Sequence, residues 1–339
     1  MEENTQHFLD LIRRSHRGRF KIYIGMIAGV GKTYRMLQDA REMLRQGTDV
    51  QIGFVETHGR PDTVKALKGL PVIPRKRVFY KGKEIEEMDL DAILQVHPEI
   101  VIVDELAHTN VEGCRHAKRW QDVMELLEAG INVISAVNIQ HLESLNDEVQ
   151  KMVGVEVKER IPDSVLREAD EVVNIDLTAE ELVERLKAGK IYAKEKIQTA
   201  LDNFFNPGNI LQLRELALRE VAFRVGKKVD YEVKHREQGV KGVARLVVCV
   251  SSNNETQQHI IRKAARMADT YNAELIALYV QTANEDNDSI PLDTQRHLMG
   301  HLQLVVELGG RVHKVVSDNI ALTIADFCRE QQASVLCMG

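Results

Sequence analysis

From about Arg19 to Asp176, short apolar runs alternate with segments of helical spacing. The runs Lys21–Ile24, Val50–Glu56, Ile100–Asp104, Ile131–Val137 and Val172–Asp176 predict strands. Ile100-Val101-Ile102-Val103 is apolar without interruption, as in a strand covered on both faces. Between the first two runs, Met36, Leu37, Ala40, Met43 and Leu44 recur at helical spacing and stop at Gly47. Strand and helix in alternation imply an α/β fold, a doubly wound parallel sheet whose ligands gather at the carboxyl ends of the strands.

After Thr178 the pattern turns helical. Leu182, Leu186 and the run Ile197, Leu201, Phe204, Phe205 form one apolar stripe, Pro207-Gly208 breaks it, and Leu211, Leu213, Leu216 and Leu218 begin another. Residues 226–242 are charged and poor in large apolar side chains, and read as a linker. A second α/β pattern starts near Arg245. It has strands Leu246–Val250, Glu274–Val280, Val312–Val316 and Ser334–Met338, helices through Ile260–Ala268, His297–Glu307 and Ile320–Glu330, and a polar loop at Glu285–Ser289. The predicted division is a basic segment at 1–18, a nucleotide-binding domain at 19–177, a helical appendage at 178–228, a linker at 229–243 and a second domain at 244–339. That last domain ends on a strand with nothing after it to cover the sheet, so it is expected to be truncated.

Composition narrows the class. With 339 residues, 44% hydrophobic and 28% charged, the chain suits two or three globular domains. A net charge of −6 gives no reason to expect nucleic-acid binding. The basic cluster Arg13, Arg14, His16, Arg17 and Arg19 reads as a solvated helix face. Cys114, Cys249, Cys328 and Cys337 are scattered, against both a structural zinc site and a disulfide framework. No run approaches the roughly 18 apolar residues of a membrane span, and no signal core leads the chain, so a cytoplasmic location is expected.

The chemistry centres on residues 24–33, Ile-Gly-Met-Ile-Ala-Gly-Val-Gly-Lys-Thr, which follow a strand and lead into a helix. A glycine-rich loop in this place turns backbone N–H groups onto phosphate; Lys32 would add a point charge and Thr33 would ligate Mg²⁺. The phosphate-loop pattern wants its first glycine at 26, where Met26 stands; Gly25 comes one residue early. The second half is the strand ending in Asp104-Glu105: Asp104 would hold Mg²⁺ and Glu105 could polarise an attacking water. Three further strand-end loops supply Arg60, Asn110, Asn138 and Gln140, which either position a terminal phosphate or cap helices. The run Arg115-His116-Ala117-Lys118-Arg119 either clamps phosphate or pairs with surface acids, the second being favoured. His108, His116 and His141 lack metal-ligand spacing.

GVGKTYRML, VETHGR, VDELAHTN, GCRHAKRWQDV, NIQHLESLND, PDSVLREADEV and LDNFFNPGNILQLRELALRE resemble, in order and spacing, the N-terminal region of the KdpD family of potassium and turgor sensor histidine kinases. The early Gly25 fits that family's loop, G-x-x-x-G-V-G-K-T. The resemblance implies a sensory module of a two-component system that binds ATP and Mg²⁺ through Gly25, Ala28, Gly29, Val30, Gly31, Lys32, Thr33 and Asp104. It also implies partners in a histidine kinase core and in the regulation of potassium transport, and is compatible with a homodimer. No H-box, N-box or kinase lid occurs in these residues, so histidine-kinase activity is not expected of them, and the rival reading is an active P-loop ATPase or small-molecule kinase. From Val247 the chain resembles universal stress proteins. Their ATP loop would begin at Gly339, so ATP binding there is not supported. Some KdpD proteins bind cyclic di-AMP in this domain. The pattern for it, S-x-S and then F-T-A-x-Y, is matched in part by Ser251, Ser252, Asn253, Ala277 and Tyr279.

Overall fold

A computed structural model describes residues 17–338 apart from 155, 193, 203–204, 237–243, 252–256, 272 and 283–290. Arg13, Arg14, His16, Phe204, Ser252, Asn253 and the loop Glu285–Ser289 therefore lie outside the described residues. Two compact units are present. The first comprises residues up to His141, Glu148–Ile161 and Val165–Val229; the second takes Leu142–Asp147, Pro162–Ser164 and Asp230–Gly339.

The first unit is built on a five-stranded parallel sheet of order β2-β5-β6-β1-β7, with β1 Phe20–Gly25, β2 Val50–Phe54, β5 Ile100–Val103, β6 Asn132–Asn138 and β7 Glu171–Ile175. All five expected strands are present within a residue or two. Helix α1, Lys32–Arg45, lays Met36, Leu37 and Ala40 on the sheet, against Tyr23, Ile52, Ile102 and Ile134. Burial of such a stripe is the main source of its stability. Because β6 is inserted between β1 and β5, its carboxyl end rises between the glycine-rich loop and the Asp104-Glu105 pair.

The periodicity left one element unread. Lys76–Tyr80 (β3) and Lys83–Glu87 (β4) pair as an antiparallel hairpin outside the main sheet. Its turn is Lys81-Gly82, both at positive φ (47° and 79°), which fits the two-residue hairpin turn. Short helices α2 Pro61–Leu67 and α3 Leu90–Val96 flank this region, and α4 Arg119–Glu128 follows β5. Helices α5 Asn146–Val153 and α6 Asp163–Arg167 come before β7.

The helical appendage is three helices, α7 Ala179–Lys187, α8 Lys194–Asp202 and α9 Pro207–Arg236. Thr178 and Glu181 form a reciprocal capping box that starts α7. Pro207 opens α9, a position where its missing N–H costs nothing. The expected linker at 229–243 is corrected in its first half: α9 runs unbroken to Arg236. Lys, Glu and Arg are good helix formers, so a charged stretch without proline propagates a helix as readily as it makes a coil. Leu213 and Leu216 are buried, whereas Leu211 and Leu218 are exposed.

The second unit has a parallel sheet of order β10-β9-β8-β11, with β8 Arg245–Cys249, β9 Glu274–Gln281, β10 Arg311–Val316 and β11 Val335–Cys337. Helices α10 Gln257–Tyr271 and α11 Leu292–Glu307 cover one face, and α12 Ile320–Glu330 the other. Within this unit Arg262 on α10 is buried and pairs with Glu143 at 2.8 Å and Asp147 at 2.8 Å. Among the described residues no helix is long and apolar enough to cross a membrane.

Candidate functional site

The loop after β1 turns at Gly29 and Gly31, whose φ values of 92° and 104° are costly for any side chain. Gly31 ends the loop and α1 begins at Lys32, so the loop's N–H groups lie at the positive end of a 14-residue helix. The early glycine has a packing reason. A Cβ on Gly25 would lie 2.7 Å from Val30 Cγ2 and 3.2 Å from both Ile175 O and Lys32 Cδ. The loop folds back over the end of β1 only if position 25 is bare.

In register, Gly25 on β1 lies opposite Asn138 on β6. The Lys32 ammonium donates to Asn138 Oδ1 and, at 3.3 Å, to Ile27 O. Burial pulls the Lys32 pKa down to about 8, although Asp104 works in the other direction. Thr33 Oγ1 donates to Asp104 at 2.8 Å, and the Glu105 N–H donates to the same carboxylate at 2.9 Å. Burial raises the Asp104 pKa against both hydrogen bonds.

Glu105 stands in the left-handed region, φ 54°. That backbone is uncommon for a non-glycine residue. His58 Nε2 meets it at 3.3 Å and Arg119 Nη1 at 3.7 Å. The His58 hydrogen bond, and then Arg119, hold Glu105 below the usual carboxylate range against the opposing effect of burial.

Arg119, expected at the surface or on phosphate, is fully buried. Its guanidinium lies 3.8 Å from the Phe54 ring centroid and pairs with Glu87 at 3.0 Å. Glu87 also accepts from His108 at 2.9 Å. Glu87 ends β4 in the hairpin that the sequence pattern did not reveal, and the two-residue spacing around Gly82 was its available signal.

Ala28, Gly29, Val30, Gly31, Lys32, Thr33, Arg60, Asp104, Glu105 and Asn138 line one cleft of about 620 Å³. Asn110 does not join them: its amide is spent on Asp122 at 2.7 Å and His116 O at 3.0 Å, which stitches its own loop. Gln140 does not line the cleft either, and its Oε1 is buried without a partner among the described residues. Arg115 pairs with Asp91 and Glu125, and His116 meets Glu125 at 2.6 Å, as expected of surface charges. Two cations that sequence reasoning missed, Arg185 and Lys190, also line the cleft. Among the described residues no ion pair joins Lys32, Arg60, Arg185 or Lys190 to a carboxylate, and no cluster of His, Cys, Asp and Glu is arranged to hold a metal by itself.

In the second unit, Ser251 hydrogen-bonds Gln257 and its carbonyl accepts from His301 Nδ1 at 2.9 Å. Ala277 is part of the apolar core, and Tyr279 is buried on the same strand.

Residues 16–225 match the family described as osmosensitive K+ channel His kinase sensor domain, KdpD. A "Putative sensor protein KdpD" of Synechocystis is 43% identical over 326 residues, which covers 95% of this chain and 86% of that protein. The chain belongs to the KdpD family. The "Sensor protein KdpD" of Mycobacterium tuberculosis is 43% identical over 332 residues, and that of Escherichia coli 39% identical over 340. This chain spans 37% and 38% of the length of those two KdpD proteins. Residues 242–339 match the universal stress protein family, so the two family assignments follow the two α/β patterns along the chain.

Proposed function

We propose that the first unit binds ATP and Mg²⁺ and that this KdpD-family chain serves as a sensory, regulatory module. The observation that carries the reading is Lys32. Among the described residues, its ammonium sits at the glycine-rich loop with an amide and a carbonyl for partners, in a cleft with three other cations that lack carboxylate partners. A polyanion is the chemistry that such a set lacks. The Thr33 hydroxyl and the Asp104 carboxylate, 2.8 Å apart, are hard oxygen donors suited to Mg²⁺. A divalent cation would offset the burial that raises the Asp104 pKa.

Arg60 and Asn138 would contact phosphate, Asn138 by releasing Lys32 to it. Glu105 is a weak candidate for a general base: the hydrogen bond from His58 and the charge of Arg119 lower its basicity, whereas efficient bases titrate near the working pH. Slow hydrolysis therefore fits the site better than an ATPase or small-molecule kinase cycle. By analogy with sensor proteins of the family, nucleotide occupancy would bias a cytosolic histidine kinase core supplied outside these residues, in the control of potassium transport.

Isothermal titration with ATP and Mg²⁺ tests the reading. Binding is expected, and Lys32→Ala should abolish it. No binding by the unmodified protein would overturn the proposal, and turnover above about 1 s⁻¹ would favour the enzyme instead.

A further inference from the structure

The cleft is bordered by a segment far away in sequence. Helix α7 is fixed at its start by the Thr178–Glu181 capping box and pinned by Leu182 and Leu186, both fully buried. Arg185 lies between those two anchors, so its backbone is held while its long side chain reaches over the glycine-rich loop. Its Nη1 donates to Gly29 O at 3.2 Å, and a Cβ on Gly31 would lie 3.6 Å from the same nitrogen. Just beyond the helix, the Ile191 side chain packs on Gly29 so closely that a Cβ there would be 2.3 Å from Ile191 Cδ1. Arg60 Nη2 in turn donates to Ile191 O at 3.3 Å. Loop, Arg60 and the end of this segment therefore share one set of contacts.

Resting on the nucleotide reading above, we propose that Ala179–Ile191 reports the terminal phosphate of a bound nucleoside triphosphate, with Arg185 as the residue that changes partner. A guanidinium has five N–H donors, and here a single hydrogen bond to a neutral carbonyl is made among the described residues. A phosphate oxygen is a charged acceptor, with hydrogen bonds roughly twice as strong as those of a carbonyl. Arg185 moves from Gly29 to the terminal phosphate, and Lys190 on the same segment follows the same charge. A diphosphate leaves Arg185 on the loop. The two nucleotides thereby differ in contacts to one element, which is the condition for a ligand to shift a conformational equilibrium. Ile191 leads directly into the rest of the helical region, so the difference passes to α8 and α9.

The test uses the whole 339-residue chain and four titrations, of Mg²⁺ with ATP or ADP into the unmodified protein and into Arg185→Ala. Alanine preserves the helix, so the variant should fold. ATP affinity should fall about 10- to 100-fold and ADP affinity by less than about twofold, as for loss of one hydrogen bond to a charged group. Arg185→Lys should recover part of the loss. Hydrogen exchange of residues 179–191 should be slower with ATP than with ADP in the unmodified protein and equal in Arg185→Ala. An equal loss for both nucleotides, no loss for either, or the same exchange with both would overturn the proposal while nucleotide binding stood. Failure of the unmodified protein to bind either nucleotide would instead overturn the reading on which it rests.

Discussion

Replacing Arg119 by methionine should cost more stability than any other single change near the cleft. The side chain is 0% exposed, and its partner Glu87 is 2% exposed at 3.0 Å. Removing the cation strands a buried carboxylate whose remaining partners among the described residues are His108 and a backbone N–H. Breaking such a pair from one side costs about 3–5 kcal/mol. The contact with Phe54 is lost as well, a cation–π interaction worth ~1–2 kcal/mol when desolvated. For a unit of this size about 3–5 kcal/mol lowers the melting temperature by roughly 6 to 20 °C.

The decisive assay is a double-mutant cycle by calorimetry. Glu87→Gln alone leaves Arg119 buried with Glu105 at 3.7 Å as its remaining carboxylate, so it too should destabilise. The double variant Arg119→Met with Glu87→Gln removes both charges and should recover much of the loss, because uncharged groups of similar volume suit a dry interior. A single-variant shift below about 2 °C, or a double variant no better than Arg119→Met, would refute the argument that pairing, and not packing alone, holds this region.

Two further outcomes follow from the loop. Gly25→Ala places a methyl 2.7 Å from Val30 Cγ2 and should cost about 1–3 kcal/mol, seen as a lower melting temperature together with weaker ATP binding; an unchanged melting temperature would refute the packing role given to that glycine. The Lys32 pKa of about 8 predicts the pH dependence of ATP affinity. Bound phosphate favours the protonated amine, so the complex holds more protons than the free protein above pH 8. Affinity should be flat near neutrality and fall by up to about tenfold per pH unit above 8, with proton uptake on binding in titrations that compare buffers; a flat profile through the alkaline range would contradict it.

Much of this architecture can be read in the sequence because the sheet strands are covered on both faces. Ile100–Val103 is accordingly apolar throughout, and Ile131–Val137 is apolar apart from Asn132 and Ser135, and their ends fall where the acids and Asn138 begin. The hairpin Lys76–Glu87 escaped the same test because its outward positions are charged and its apolar positions, such as exposed Phe79, do not face the main core. The first half of the linker expected at 229–243 is helix instead, because charge alone does not separate a solvated helix from a coil. Loop position also predicted less than it promised. Asn110 follows the acid-bearing strand as the phosphate reading required, yet its amide turns toward Asp122 and His116. Arg185 and Lys190 gave no sequence signal, since only tertiary packing brings a helix 156 residues away onto Gly29.

The allotment of Leu142–Asp147 and Pro162–Ser164 to the second unit has a practical consequence for anyone dissecting this chain. The units are interleaved along the polypeptide, so no single scission separates them. A fragment beginning at 230 would contain Arg262 but neither Glu143 nor Asp147, leaving a guanidinium prepared for two carboxylates with neither of them. Poor behaviour of such a piece would then measure where the cut was made, and would say nothing about whether the universal-stress-protein part can fold.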